Sequence, residues 1–271
     1  SSHTRETERL GGVEVRFTLE TPSGFNPFHI LKSQSDDPRA IQLMGQFLAT
    51  ILKENDETEI SQDMRSQIEE TLLKYAKELV HGNIDEFYEF SKDHLPRANI
   101  LKRWTSSGVF KNAFSGDKGS FSENRLKYFN FAEISQSIDS DYAHGCLAAL
   151  LVAFNNDVLF NRQNRRFVFI ADEVPVFIKK AFQFFSISIR NVRKKGDGFI
   201  IIAQSSSDVV VGGDTSIIKN SDSKFLFNID DERLAYKNRL DLTDDELSRI
   251  DELQSIPGQY SEVLLKETLW S

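Results

Sequence analysis

The sequence contains a single cysteine, Cys146, so no disulfide can form within the chain. This scarcity indicates a reducing compartment. Cys146 lies in an apolar helical stretch, and we expect a buried structural thiol rather than a nucleophile. The 5 histidines show no spacing typical of a metal site. Neither a signal peptide nor a run of about 20 apolar residues is recognisable in these 271 residues, so we expect no membrane-spanning helix among them.

The chain is acidic, because it has 33 lysines and arginines but 41 aspartates and glutamates, which gives a formal net charge of −8. This balance argues against a general binder of nucleic acids or anionic membranes, but it leaves a local basic patch open. The remaining composition is typical of a soluble globular protein. Of the 271 residues, 39% are hydrophobic, and the 22 phenylalanines are enough to fill a large core.

A phosphate-binding loop of the form G-x-x-x-x-G-K-[ST] occurs nowhere in the sequence. The nearest stretch, residues 116–120 (GDKGS), has the wrong spacing. It also follows no buried strand, so the pattern predicts a polar loop. Any phosphate chemistry of this chain would therefore depend on other residues.

The most informative stretch begins with the apolar run 167–171 (FVFIA), which has the length and composition of a strand. Because it lacks polar alternation, we expect it to be buried on both faces. Two carboxylates follow, Asp172 and Glu173. A helical pattern then begins near Pro175, where a missing N–H costs little.

A second apolar strand, residues 199–203, follows the helix and ends at Gln204. A helical crossover of this length favours two parallel strands joined with right-handed connectivity. Since ligands of open α/β sheets bind beyond the carboxyl ends of the strands, Asp172, Glu173 and Gln204 are expected at one ligand-binding edge. In nucleotide hydrolysis, such carboxylates help to hold Mg²⁺ through water and polarise the attacking water. The alternative is that the acid pair merely caps the following helix.

Outside this stretch, local signals predict further elements. Residues 13–19 alternate as a strand with one exposed face. Asp37 with Pro38 predicts a helix start, and Thr243-x-x-Glu246 is a capping-box pattern. Residues 224–227 read as a buried strand and residues 260–266 as a final strand. The loop 106–123 is expected to anchor itself through its phenylalanines.

The sequence resembles the C-terminal ATPase domain of the TraC-like conjugative-transfer ATPases of type IV secretion systems. The resemblance covers nearly the whole chain and rests on an ordered set of motifs rather than on one. The matching segments are FVFIADEVPVFI, IRNVRKKGDGFIIIAQSSSDVV, GFNPFHI, RWTSSGVFKNAFSG, IIKNSDSKFLFN and GQYSEVLLKE.

Two departures from the family pattern matter. Val174 and Pro175 stand where the family usually has a small residue and a tryptophan after the acid pair. In the family, the phosphate loop (Walker A) lies upstream of the Asn-Pro-Phe segment, here residues 26–28. We therefore expect a C-terminal fragment that lacks Walker A and hydrolyses no ATP by itself.

The resemblance implies an α/β fold, a RecA-like P-loop NTPase core with a mostly parallel sheet and a helical insertion. Residues 1–35 would begin the truncated core, residues 36–162 would form the mainly helical insertion, and residues 163–271 would complete the core with Walker B and the glutamine motif. The insertion would either contact partner subunits or only cover the sheet.

The resemblance also implies roles for single residues. Asp172 would bind Mg²⁺ through water, Glu173 would be the general base, and Gln204 would sense the γ-phosphate of Mg-ATP. The basic cluster 190–195 lies about five helical turns beyond the acid pair, too far to serve the same nucleotide. Arg193 is the candidate arginine finger for a neighbouring subunit, the alternative being a solvated helix end favoured by the helix dipole.

The family expectation for the full-length protein is a hexameric ATPase. It would be cytoplasmic, peripheral to the bacterial inner membrane, and bound there to other type IV secretion subunits. Direct contact with DNA stays open. Two alternatives remain: a DNA-pumping translocase of the same fold, which would need a basic pore loop, and a non-catalytic scaffold of the secretion channel.

Overall fold

The structure is a computed structural model and describes residues 2–54, 57, 59–117, 119, 125–131, 140–160, 166–172, 175–228 and 233–267. Helices and strands alternate along the chain, which confirms the predicted α/β class. The α-helices are α1 (Ser2–Arg9), α2 (His29–Ser33), α3 (Pro38–Ile51), α4 (Gln62–Glu78), α5 (Ile84–Ser91), α6 (Ala98–Leu101), α7 (Ser140–Leu159), α8 (Pro175–Lys194), α9 (Ser216–Lys219), α10 (Arg233–Leu240) and α11 (Asp244–Glu252). Two 3-10 helices span Lys102–Trp104 and Ser206–Val209.

The strands are β1 (Val13–Arg16), β2 (Lys127–Asn130), β3 (Val168–Ala171), β4 (Gly198–Ile201), β5 (Ser223–Leu226), β6 (Ser255–Ile256), β7 (Tyr260–Ser261) and β8 (Leu264–Glu267). Within the described residues they form two-stranded sheets rather than one mostly parallel sheet. The pairs β1–β2 and β3–β4 are parallel, whereas β5–β8 and β6–β7 are antiparallel.

The centre of the molecule is α7, a helix whose described side chains are buried on nearly every side. Its sequence explains this position, because a helix that is apolar all round must lie inside the protein. Helices α3 and α8 pack against it. Cys146 lies on this helix and is fully buried, as predicted. Burial raises the pKa of its thiol, so the thiolate needed for nucleophilic chemistry is disfavoured.

An aromatic cluster closes the loop that leads from the 3-10 helix toward β2. Trp104 stacks on Phe114 with ring centroids 4.9 Å apart, and Phe110 packs between Trp104 and Tyr142. The Tyr142 hydroxyl donates to the carbonyl of Thr18 over 2.7 Å. The predicted anchoring of this loop by Phe110 and Phe114 is confirmed, and the third phenylalanine, Phe121, lies outside the described residues.

Local capping signals were predicted correctly. The Asp37 carboxylate accepts the backbone N–H of Arg39 at the start of α3. The capping box of Thr243 and Glu246 is present at the start of α11, and α8 begins at Pro175. Strand lengths were predicted less accurately. The strand predicted at residues 13–19 ends at Arg16, and the final strand predicted at residues 260–266 is divided into β7 and β8.

The prediction that the strand at residues 167–171 is buried on both faces is wrong, and the strand paired with it shares the exposed face. One face of the β3–β4 pair, with Phe169 and Phe199, packs against the core. The other face is exposed to solvent. Its four large apolar side chains are Val168 (58% exposed), Ile170 (61%), Ile200 (47%) and Ile202 (48%). The physical reason is that the described residues provide a covering layer for only one side of this pair.

The same correction applies to the strand predicted at residues 224–227. Phe225 is 64% exposed and Phe227 is 45% exposed, while Leu226 faces the core. Across the pair, Leu265 of β8 is exposed as well. An apolar sheet face of this kind usually marks a contact surface. Within the described residues, no helix has both the length and the apolar content needed to cross a membrane.

Candidate functional site

The carboxyl edge of the β3–β4 pair brings together two of the predicted site residues. The strands run in register, with Ala171 beside Ile201. Beyond the last pair, the N–H of Ile202 donates to the carbonyl of Ala171 over 2.8 Å. Asp172 is the next residue after β3, and Gln204 follows the end of β4 by three positions. Both are exposed, so their polar groups are accessible at the same edge.

Glu173, the predicted general base, lies outside the described residues. The described stretch after β3 ends at Asp172, and α8 begins at Pro175.

The turn after β4 is fixed by a short hydrogen-bonded segment. The Asp208 carboxylate accepts the N–H of Gln204 over 3.1 Å and the N–H of Ser205 over 2.8 Å. Ser205 in turn accepts the N–H of Ser207 over 3.1 Å. Ser205 and Asp208 form a capping box that opens the 3-10 helix Ser206–Val209. Because these bonds hold the backbone of Gln204, its side chain projects from a defined point.

Aromatic packing holds β3, β4 and α8 together as one unit. Phe169 and Phe199 lie side by side on the two strands, with ring centroids 4.7 Å apart. Phe185 of α8 packs edge-on against both rings. A buried polar contact adds to this packing, since the Asn155 amide on α7 donates to the Ser188 hydroxyl on α8 over 2.8 Å. The strand ends that carry Asp172 and Gln204 are thus placed by a packed core.

The basic cluster lies at the opposite end of this unit. Helix α8 has 20 residues and is about 30 Å long, and it starts beside the acidic edge and ends at Lys194. Arg190, Lys194 and Lys195 are exposed there. Arg193 belongs to the last turn of α8, and its side chain lies outside the described residues. The structure therefore separates the acidic edge from the basic helix end and does not bring Arg193 to Asp172 within one chain.

Among the described residues, Asp172 supplies one exposed carboxylate at this edge. Within the described part of the chain, no group of three or more His, Cys, Asp or Glu residues has a metal-holding arrangement. Mg²⁺ does not need such a cage, because it commonly takes one or two carboxylates, with water and phosphate oxygens completing the octahedron. The exposed carboxylate of Asp172 fits that role as a water-mediated ligand.

One residue near this edge was missed by the sequence analysis. Arg239, in the last turn of α10, donates from Nη1 to the Ser206 hydroxyl over 3.0 Å. Ser206 is two residues beyond Gln204, so the contact brings a guanidinium close to the turn that follows β4. The two partners are 33 positions apart. Short-range sequence patterns do not predict a contact between residues so far apart in the chain.

No protein-family model and no curated protein matches this sequence. Among solved structures, the chain is similar to VirB4 of Thermoanaerobacter pseudethanolicus. The superposition has a TM-score of 0.69 at 16% sequence identity, and it covers 99% of this chain and 79% of that one. At this identity the likeness shows a shared fold.

Proposed function

We propose that this chain is the C-terminal part of an ATP-hydrolysing motor that energises type IV secretion or conjugative DNA transfer. The observation that carries the proposal is the parallel pair β3–β4, which has Asp172 and Gln204 exposed at a single edge. The fold that the chain shares with VirB4 of Thermoanaerobacter pseudethanolicus is consistent with this proposal. The resemblance of the motifs to TraC-like ATPases supports it independently.

In the proposed mechanism, Asp172 would hold Mg²⁺ through water, and the ion would supply positive charge to the phosphates of ATP. Glu173 would accept a proton from the attacking water, and Gln204 would hydrogen-bond to the γ-phosphate. The rigid packing of the two strands supports this arrangement, because phosphoryl transfer depends mainly on positioning and on electrostatic stabilisation.

We propose that residues outside these 271 supply the phosphate-binding loop, beside the described strands of the β3–β4 pair. Among the described strands, β4 pairs only with β3, and β5 pairs only with β8. The uncovered apolar face of β3–β4, which includes Ile170 and Ile200, would be buried by a further layer. We propose that a strand and helix carrying the loop complete a RecA-like core there. The 271-residue chain alone would then hydrolyse no ATP.

The distant basic helix end supports a role between subunits. Arg193 would act as an arginine finger on the nucleotide of a neighbouring copy in a ring, with a hexamer as the family precedent. The separation of about 30 Å along α8 favours this arrangement over a role in the same chain. The motor would work in the cytoplasm, against the inner-membrane subunits of the secretion channel.

A second candidate is a non-catalytic scaffold that docks other channel subunits. The exposed apolar faces of β3–β4 and of β5 favour it, because such faces mark contact surfaces. A DNA-pumping translocase of the same fold is a third reading, and the net charge of −8 weighs against it.

The proposal is tested by substituting Glu173→Gln in the complete protein. We expect ATP hydrolysis to fall by at least about a hundredfold, the range typical of losing a general base, while Mg-ATP binding is retained. Glu252→Gln makes the same chemical change at an exposed position of α11 and serves as the control. An unchanged rate in Glu173→Gln would remove this residue from the site. Turnover by the isolated 271-residue chain would overturn the requirement for a further phosphate loop.

A further inference from the structure

Arg239 lies on the side of α10 that packs toward the core. Its neighbours on that helix, Tyr236 and Leu240, are 5% and 8% exposed, and Arg239 itself is half-buried. From this position its guanidinium reaches Ser206, which is 6% exposed. The contact fixes the charged group beside the 3-10 helix that follows Gln204.

Within the part of the chain that the structure describes, the charge of Arg239 has no neutralising partner. Among the described residues, no carboxylate lies within ion-pair distance of its guanidinium, and its one hydrogen-bond partner there is the neutral hydroxyl of Ser206. Other arginines nearby are paired. Arg233, on the same helix, contacts Asp251 at 2.6 Å, and Arg249 contacts Asp245 at 3.0 Å.

A half-buried guanidinium held by a neutral partner keeps most of its N–H donors available. Partial burial also makes its charge more effective, because nearby water screens it less. An arginine presents these donors in a planar fork that matches phosphate oxygens. The ligand that suits this position is therefore an anion with several oxygens, approaching from the carboxyl edge of β4.

We propose that Arg239 contacts the terminal phosphate of the bound nucleoside triphosphate within the same chain. The inference rests on the proposed function and adds a second cation, distinct from the intersubunit role of Arg193. Asp172, at the adjacent strand end, would act through Mg²⁺, while Arg239 would approach the phosphate beyond Gln204. The competing explanation is that Arg239 only ties α10 to the 3-10 helix. If Arg239 has only that structural role, removing it should affect the binding of Mg-ATP and Mg-ADP equally.

The test compares Mg-ATP and Mg-ADP binding by the complete protein in a Glu173→Gln background, which prevents turnover. Arg239→Gln is expected to weaken Mg-ATP binding by about tenfold or more, the usual loss for one charge-assisted hydrogen-bonding partner. Binding of Mg-ADP should weaken less than about threefold. Arg239→Lys keeps the positive charge but lacks the planar guanidinium, so its Mg-ATP binding should weaken by between about threefold and about tenfold. Arg233→Gln removes a positive charge from the same helix and should change neither the Mg-ATP nor the Mg-ADP dissociation constant.

The outcomes distinguish the proposed phosphate contact of Arg239 from the proposed ATPase function. A selective loss of Mg-ATP binding in Arg239→Gln supports the phosphate contact. Equal weakening of both nucleotides, or values equal to those of Arg233→Gln, would overturn it and leave the ATPase proposal standing. Ser206→Ala provides a second variant with an intact guanidinium, and it should reproduce part of the selective loss. If the protein without any Arg239 substitution binds no Mg-ATP, the proposed function itself fails.

Discussion

The carbonyl of Ala171 accepts the N–H of Ile202 over 2.8 Å, one step beyond the last register pair of β3 and β4. This bond aligns the points at which the chain leaves the two strands. Asp172 and Gln204 consequently emerge at the same edge, which is where ligands of open α/β sheets bind.

The two faces of β3 should respond oppositely to substitution. Phe169 stacks on Phe199 and packs against the core, whereas Ile170 is 61% exposed. In the 271-residue chain, Phe169→Ala should lower the free energy of unfolding by about 3 kcal/mol, and Ile170→Thr by less than about 1 kcal/mol. Urea unfolding measures both values.

In the complete protein, the same Ile170→Thr substitution gives a different prediction. If a further layer covers this face, the substitution buries a hydroxyl and should cost at least about 1 kcal/mol more than in the 271-residue chain. Equal costs in the two proteins would show that Ile170 stays exposed in both. That result would remove this face as the contact for a phosphate-loop strand and helix.

Two helical glycines should respond in opposite directions to alanine. Gly45 lies inside α3, where an added methyl group would meet only the Glu69 side chain at 3.8 Å. Gly45→Ala should raise the free energy of unfolding by about 0.5–1 kcal/mol through helix propensity. Gly145 faces the indole ring of Trp104, and an added methyl group would overlap that ring. Gly145→Ala should therefore destabilise the protein by about 2 kcal/mol despite the better propensity.

Thermal or urea unfolding of the two variants measures this difference. Trp104 is 2% exposed and stacked on Phe114, so its ring has little room to move away. Stabilisation by Gly145→Ala would contradict the described packing of α7 on this ring. The variant at Gly45 serves as the control for the general effect of replacing a helical glycine.

The Glu86 carboxylate organises the turn between α4 and α5. It accepts the N–H groups of Val80 over 2.7 Å and Gly82 over 2.6 Å, as well as the Tyr75 hydroxyl over 2.9 Å. Burial by itself raises the pKa of Glu86, but these hydrogen bonds outweigh burial and leave the pKa below its usual value. A lowered pKa in the folded state means that this stabilisation is complete above the unfolded value of about 4.3. It is lost as the pH falls through the folded-state pKa.

Glu86→Gln should therefore cost about 1–3 kcal/mol near neutral pH, with the difference from the unsubstituted protein shrinking below about pH 4. Urea unfolding at several pH values gives both quantities. Glu89→Gln on the same helix breaks only a surface pair with Lys92 and should cost less than about 0.5 kcal/mol. A Glu86→Gln difference that stays constant with pH would show that the carboxylate is not stabilised by these donors.

Local sequence signals predicted much of this structure. The cap at Asp37, the capping box at Thr243 and the strand, helix and strand around Asp172 depend on residues close together in the sequence. The parallel pairing of β3 and β4 also followed from the length of the crossover.

Burial and distant contacts could not be predicted in this way. An apolar run shows that a strand suits a core, but it does not say how many neighbouring strands and layers are present. The exposure of Ile170 and Phe225 therefore became visible only in the structure. The contact of Arg239 with Ser206 joins separate elements and depends on how α10 packs, which no short pattern encodes.

The central claim is that Mg-ATP binds at the carboxyl edge of β3 and β4, and metal-directed backbone cleavage tests it most directly. In the complete protein, Fe²⁺ would replace Mg²⁺ in the presence of ATP, and ascorbate with peroxide would generate radicals at the metal. Mass spectrometry would then locate the cleaved bonds. We expect ATP-dependent cleavage within residues 171–174 and 202–208, and its loss in Asp172→Asn. Cleavage confined to other segments, or unchanged in Asp172→Asn, would contradict the claim.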